Sequence, residues 1–326
     1  MINKIFGLLL ASFLVLGCEE QPKDAKANLP DSNGRINNVS VVIDHALWEG
    51  KIGEEIRSVL AATVDGLTHQ EPLFTMNQIP PSAFDGFVRS NRTFLKIGKS
   101  AQAYFEIVQD TFARPQTGVF VYAPTQEELI KLLDNNKDAI VSSLKKTELK
   151  EQQNRIAKSL KPDQVIREKL GVSLNFPTAY RYAKQEDNFF WIRKDIPKGT
   201  MEILLYEVPF HTIEKDTNIV GNIIKMRDSI GKQHIPGPRD GSYLVTEDAY
   251  APYLFETQID GKFAYESRGV WEVKNAFMAG PFINFAVKDE KNKRYVILEG
   301  FVFRPSTNKR DHVFELEAIL RSAKIN

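Results

Sequence analysis

A single cysteine, Cys18, serves the whole 326-residue chain. Without a second thiol there is no intramolecular disulfide, no cysteine-rich metal cluster and no two-cysteine redox site. An excess of one charge is missing too. The 43 basic and 42 acidic residues nearly cancel, whereas a nucleic-acid binder would show a basic excess on one face. Nucleic acid is therefore not expected as a partner. His45, His69, His211, His234 and His312 are scattered, and no two stand at the i, i+2 or i, i+4 spacing that brings two imidazoles to one metal. No G-x-S-x-G elbow and no G-x-G-x-x-G loop occurs. Gly98-Lys99-Ser100 has the look of a P-loop tail, but Thr93 stands where the first glycine belongs. Tyr104–Val108 also reads as a strand where a helix should follow. After residue 16, no apolar stretch approaches the ~20 residues of a transmembrane helix. Neither a metal nor a cofactor is expected.

What is present begins at once. Lys4 is followed by an apolar run from Ile5 to Leu16, then by Gly17 and Cys18. A basic start, an apolar segment too short to span a bilayer and a small residue at the cut make a secretory signal peptide. Leu14-Val15-Leu16-Gly17-Cys18 resembles a bacterial lipobox, although Leu16 sits where a smaller residue is commoner. In a lipobox protein the cysteine is diacylated, the leader is cut before it and the new amine is acylated. Residues 1–17 are thus expected to be a signal peptide, and Cys18 the site of acyl chains that hold the protein to a membrane. The expected location is the outer membrane, on its periplasmic or its surface face. Residues 18–38 are polar, with Pro22, Pro30 and Gly34, and read as a flexible tether. Its Glu19 and Glu20, with Lys23 and Asp24, resemble the signal that sends Bacteroidota lipoproteins to the cell surface.

The remaining length suits two domains of about 150 residues. The first, residues 39–146, opens on the β-branched run Val39–Ile43 and a helix through Ile52, Ile56 and Leu60. Strands follow at 73–78, 93–98, 104–112 and 118–123. Thr125-Gln126-Glu127-Glu128 is a capping box that starts a helix lined by Leu129, Leu133, Ile140 and Leu144. This order predicts a ferredoxin-like α+β domain with an antiparallel sheet. Residues 147–170 are charged, are split by Pro162, and read as a helical linker. The second domain, residues 171–326, has strands at 180–183, 189–193, 201–208, 253–259, 263–273, 281–288 and 294–304. A short helix is expected around Val220–Arg227 and a last one through Val313, Leu316 and Leu320. Asp260-Gly261 is a two-residue hairpin signal. The fold class is α+β, with two antiparallel-sheet-and-helix domains.

Several short runs carry a resemblance. They are Gly280-Pro281-Phe282, Val287-Lys288-Asp289, Gly300 to Pro305, Lys309-Arg310, Leu316 to Leu320, Ala113 to Gln116 and Ile235-Pro236-Gly237. Together with the lipobox they resemble an uncharacterised Bacteroidota lipoprotein family, domain of unknown function 4837. That resemblance implies an envelope lipoprotein and supplies no catalytic residues. Gly171 to Pro177, followed by strands and by a helix after a Phe-Val-Phe strand, is similar to PsbP and Mog-like α/β/α sandwiches. Proteins of that architecture mostly bind partners or assist assembly, and fold alone does not fix function.

The segment singled out for binding is the loop Ile235 to Tyr243. Its prolines and glycines fix an unusual backbone, and Arg239 and Tyr243 are residue types favoured in contact sites. Arg268, Trp271 and Phe282 are placed near it if they share one sheet end, where arginine and aromatics would grip a peptide or glycan. The competing reading puts Trp271 and Phe282 in the core. His45 beside Asp44 is the best lone acid–base candidate, with a surface role far commoner. Glu247-Asp248 is an acidic pair that more often makes a solvated turn. The expected function is a non-enzymatic envelope accessory that binds an envelope protein or glycan. The alternative is an anchored hydrolase acting on glycan or peptide through dispersed residues, in a deep, polar-lined cleft with a perturbed acid or histidine.

Overall fold

The computed structural model describes residues 29–326. The signal peptide, Cys18 and the first part of the tether lie outside the described residues. The structure is α+β, with a five-stranded sheet in the first half of the chain and an eight-stranded and a two-stranded sheet in the second. The first half contains β1 (Asn38–Val42), α1 (His45–Trp48), α2 (Lys51–Leu60), β2 (Thr75–Ile79), β3 (Thr93–Lys99), β4 (Tyr104–Gln109), β5 (Thr117–Ala123), α3 (Gln126–Asn135) and α4 (Lys137–Ala157). Its strands run in the order β2-β1-β3-β5-β4. Three of the neighbouring pairs are parallel and only β4 runs antiparallel to β5. This corrects the antiparallel, ferredoxin-like expectation. The reason lies in burial. Val39, Val41 and Ile43 pack under the helices, while Val42 packs with Phe84 and Phe94 on the opposite face. A strand apolar on both faces suits a parallel sheet covered on both sides.

Two further boundaries differ from expectation. Residues 29–38 are not a free tether: Asp31 bridges Arg114, Asn33 bridges Asn91, and the buried Asn37 donates its backbone N–H to Glu148. The capping box forms, with the Thr125 hydroxyl accepting from the Glu128 N–H, but the helix breaks at Asn136. Leu129 and Leu133 sit on α3, Ile140 and Leu144 on α4. α4 then runs unbroken through residue 146 to Ala157.

The second half contains α5 (Gln164–Leu170), β6 (Val172–Ser173), β7 (Arg181–Gln185), β8 (Phe189–Ile196), β9 (Gly199–Pro209), α6 (Phe210–Glu214), α7 (Ile219–His234), β10 (Leu244–Thr246), β11 (Tyr253–Ile259), β12 (Lys262–Val273), β13 (Ala279–Asp289), β14 (Arg294–Phe303), α8 (Arg310–Leu320) and β15 (Lys324–Ile325). Its main sheet is antiparallel, in the order β10-β12-β13-β14-β9-β8-β7, with β11 also on β12. Asp260 and Gly261 both take positive φ, the geometry of a tight two-residue hairpin. Successive side chains point to opposite faces, so each strand feeds two cores. On one face Ile203, Leu205, Phe285 and Leu298 meet Ile156, Ile166 and the apolar side of α8. On the other, Leu204, Tyr206, Trp271 and Phe301 meet Ile213, Ile223 and Met226 of α6 and α7. Three layers result, helix on sheet on helix.

The halves are joined through α8. The buried Glu71 carboxylate accepts the backbone N–H groups of Lys309 (2.7 Å) and Arg310 (2.9 Å), capping the helix start from the other half. Further along α8, Glu317 takes Arg268 at 2.7 Å and Arg321 at 2.9 Å, with Lys145 of α4 at 3.7 Å. Those three cations hold the Glu317 carboxyl well below the usual carboxylate range, despite its burial. α7 is fixed by a second buried pair. Arg227 donates to both carboxylate oxygens of Glu299, at 2.9 and 2.7 Å, and its guanidinium stacks 3.4 Å over the Phe282 ring. Removing one partner would strand a charge in the core. Arg227→Ala is therefore expected to cost about 3–5 kcal/mol in urea unfolding, while Arg227→Leu with Glu299→Leu recovers at least half of that loss.

Candidate functional site

α7 covers only part of its face of the sheet. It ends at His234, and the chain turns back through Ile235–Tyr243 into β10. The turn is tight because Gly231 lets the helix end press on the Leu244 carbonyl, where any Cβ would collide. The returning segment is a small hairpin. Gly237 N–H donates to the Ser242 carbonyl at 2.8 Å, Leu244 N–H donates to the Ile235 carbonyl at 3.1 Å, and Pro236 bridges Tyr243. Past this hairpin, the ends of β8, β9, β12 and β14 are uncovered. A cleft opens there in two arms.

The first arm holds about 560 Å³. Trp191, Trp271, Phe301, Phe303 and Met278 wall it with Ile235 and Pro236–Pro238, and its polar groups are Arg193, Asp195, Thr200 and Glu202. The second arm, about 550 Å³, is lined by Lys184, Lys232, Gln233, His234, Ser242 and Tyr243. Trp191 and Pro236 line both arms, so the two adjoin. Each volume lies within the ~300–1,000 Å³ range of small-molecule sites.

Glu202 is the chemically unusual group. It is 3% exposed. Its Oε2 accepts the Trp191 indole N–H at 2.7 Å, and Arg193 lies 3.6 Å from Oε1. Burial dominates and raises its carboxyl to about 7, against the pull of the Trp191, Thr200 and Arg193 contacts. Asp195, exposed at the rim, behaves oppositely. Hydrogen bonding from Arg193 (3.1 Å) and then from Arg181 (3.3 Å) lowers its pKa. In the second arm, His234 stacks on Phe189 with ring centroids 4.0 Å apart. Its Nδ1 lies 3.0 Å from the Lys184 ammonium and 3.3 Å from Glu186. Burial, then the Lys184 charge, lowers the histidine pKa. The imidazole is thus neutral near pH 7 and accepts from Lys184. Tyr243 lies between two lysines, with Lys232 Nζ 5.9 Å and Lys274 Nζ 5.7 Å from its ring.

The five residues chosen from sequence are not one cluster. Trp271 lines the first arm and Tyr243 the second. Arg239 is exposed on the hairpin tip and reaches the Asn275 carbonyl at 3.5 Å. Arg268 is on the opposite face of the sheet, buried between Glu266 and Glu317. It stands three residues from Trp271 on β12, and an odd separation on a strand puts two side chains on opposite faces. Phe282 is buried beneath Arg227 and does not reach the cleft. His45 is exposed and meets only Glu49, at 4.0 Å, and Glu247 makes a local turn contact with the Ala249 N–H. Among the described residues, no cluster of three metal-ligating side chains occurs. Sequence reasoning missed Trp191, Glu202 and Lys184. The available signal was Glu202 itself, a lone carboxylate inside the apolar run Met201–Tyr206.

The Glu202 carboxyl gives a direct pH test. Its folded pKa lies above its unfolded one, so the native state holds the extra proton between about pH 4.5 and 7, and stability falls as pH rises through that window. Glu202→Gln removes this slope. The wild type is expected to lose roughly 2–3 kcal/mol more than the variant between pH 5 and pH 8 in urea unfolding.

Two family models match the chain. A domain of unknown function, DUF8532, matches residues 32–157, and a second, DUF4837, matches residues 159–322. No curated protein matches. Because the second match spans half of the chain, the protein belongs to the family described as domain of unknown function DUF4837.

Proposed function

We propose that the protein is a bacterial envelope lipoprotein, fixed to the outer membrane by acyl chains on Cys18, that binds a ligand in the two-armed cleft without chemically altering it. The observation that carries the binding reading is the uncovered sheet end. Trp191 and Trp271 wall an open apolar recess where a core would normally close. The leader pattern Ile5 to Cys18 supports the anchor. No helix among the described residues is long and apolar enough to cross a membrane. Bacteroidota origin follows from the family resemblance, and surface display from Glu19 and Glu20. The three-layer second half accords with a PsbP or Mog-like sandwich, an architecture often used by binding and assembly factors. On this reading the occupant belongs to the envelope, as a free component or as part of an envelope protein.

A second reading is favoured by one observation. Glu202 and Asp195 flank Arg193 in the same cleft, and their surroundings push their pKa values apart, the pattern of an acid and its anionic partner in a hydrolase. Against it, the Glu202 carboxyl is buried and its contacts are already taken by Trp191 and Arg193. Glu202→Gln separates the two readings. Binding survives the change if Glu202 is a wall residue, whereas a hydrolase would lose about 100-fold or more in kcat.

The anchor has its own test. Cys18→Ala, made with an ordinary cleavable secretory leader in place of residues 1–17, is expected to abolish acyl labelling and to move the protein from the membrane to the soluble fraction, with the melting temperature of the body unchanged. Retention at the membrane by the variant would contradict it.

A further inference from the structure

The two arms of the cleft differ in chemistry, and that difference selects a ligand. We infer that the cleft takes a single-chain anionic amphiphile, with its hydrocarbon chain in the first arm and its acidic head on Lys184 and Lys232 in the second. This rests on the reading of the cleft as a binding site and adds the class of ligand.

Three observations carry it. The arms adjoin at Trp191 and Pro236, and a ligand laid past that edge would reach both. The first arm is walled by Trp271, Phe301, Phe303 and Met278, with Arg193, Asp195, Thr200 and Glu202 along one side. Its buried Glu202 is already engaged by the Trp191 indole and by Arg193. A glycan would bring many hydroxyls against the aromatic wall, where each unpaired hydroxyl is costly. A hydrocarbon chain has no such demand. The second arm has the opposite character. Lys184 and Lys232 line it, and Lys274 stands over the same Tyr243 ring as Lys232. The acid facing them is Glu186, which is exposed and already paired with Lys184 at 2.9 Å. His234 offers no negative charge. An acidic head placed there meets a cationic surplus. At the far rim Arg193 and Arg181 share Asp195, whereas three lysines stand against one acid around the second arm, so the larger positive surplus is at that end. That asymmetry sets the ligand's direction.

The test uses the chain from residue 18 onward with Cys18→Ala, so that neither acyl chains nor the apolar leader compete, and with Trp48→Phe. The latter leaves Trp191 and Trp271 as the fluorescent reporters. Four dodecyl probes are titrated below their micelle concentrations: dodecanoate, dodecyl phosphate, dodecyl maltoside and dodecyltrimethylammonium. The two anions are expected to bind at least about tenfold tighter than the neutral and cationic probes. Lys184→Gln with Lys232→Gln should remove that preference and leave maltoside affinity unchanged. The ratio of dodecanoate to dodecyl phosphate then tells a carboxylate head from a phosphate one. Equal affinity for all four probes, or preference for the cation, overturns the inference while the cleft remains a binding site. No saturable fluorescence change with any probe overturns both the inference and the reading beneath it.

Discussion

The buried pair between Arg227 and Glu299 determines where the second half of the molecule is open. α7 has a modest apolar face and would slide on hydrophobic contact alone, which is non-directional. The bidentate pair, with Arg227 also donating to Thr246 and stacking on Phe282, fixes one position on the sheet. Asn284 supports it by donating to the same carboxylate at 2.8 Å. Such a pair contributes more to position than to net stability. With α7 held over the sheet centre, its end at His234 falls short of the strand ends. The hairpin 235–243 then forms one wall of the cleft instead of a lid over it.

The opposite face is organised by α8, and there the logic is closure. Its first N–H groups are taken by Glu71 from the other half, and its Glu317 gathers Arg268, Arg321 and Lys145. Each half therefore supplies charge that the other needs. The seam leaves a recess of about 30 Å³ beside Lys145, Arg268 and Glu317, room for about one water, and wider ones of about 680 Å³ between residues 63–70 and 268–270 and about 560 Å³ between residues 71–75 and 304–312. The perturbed groups Glu202 and His234 both lie on the other face of the main sheet.

Much of this was legible from sequence. The strands of the second half, the Asp260-Gly261 hairpin and the last helix follow from alternation, turn chemistry and apolar spacing. The loop 235–243 was recognised by its prolines and glycines, and it does border the cleft. The strand directions of the first half were not legible. β1 and β3 are apolar on both faces, so period-two patterning vanishes and pairing is set by long-range packing. The site was only half legible for a related reason. Trp191 and Glu202 come from strands whose inward residues look like ordinary core, and only the stopping point of α7 leaves them uncovered. Arg268 is off the cleft because it alternates to the opposite face from Trp271, and Phe282, on the same face as Trp271, is off it because Arg227 of α7 covers its ring.

A cleft with an aromatic arm beside a lysine-lined arm suits the anionic amphiphile inferred for it. The most direct measurement is a crystal structure of the protein soaked with 12-bromododecanoate, read by bromine anomalous scattering. This account predicts one strong bromine peak in the first arm, among Trp271, Phe301 and Phe303, with the carboxylate at Lys184 or Lys232. A bromine peak at any other surface, or none in the cleft at saturating concentration, would contradict it.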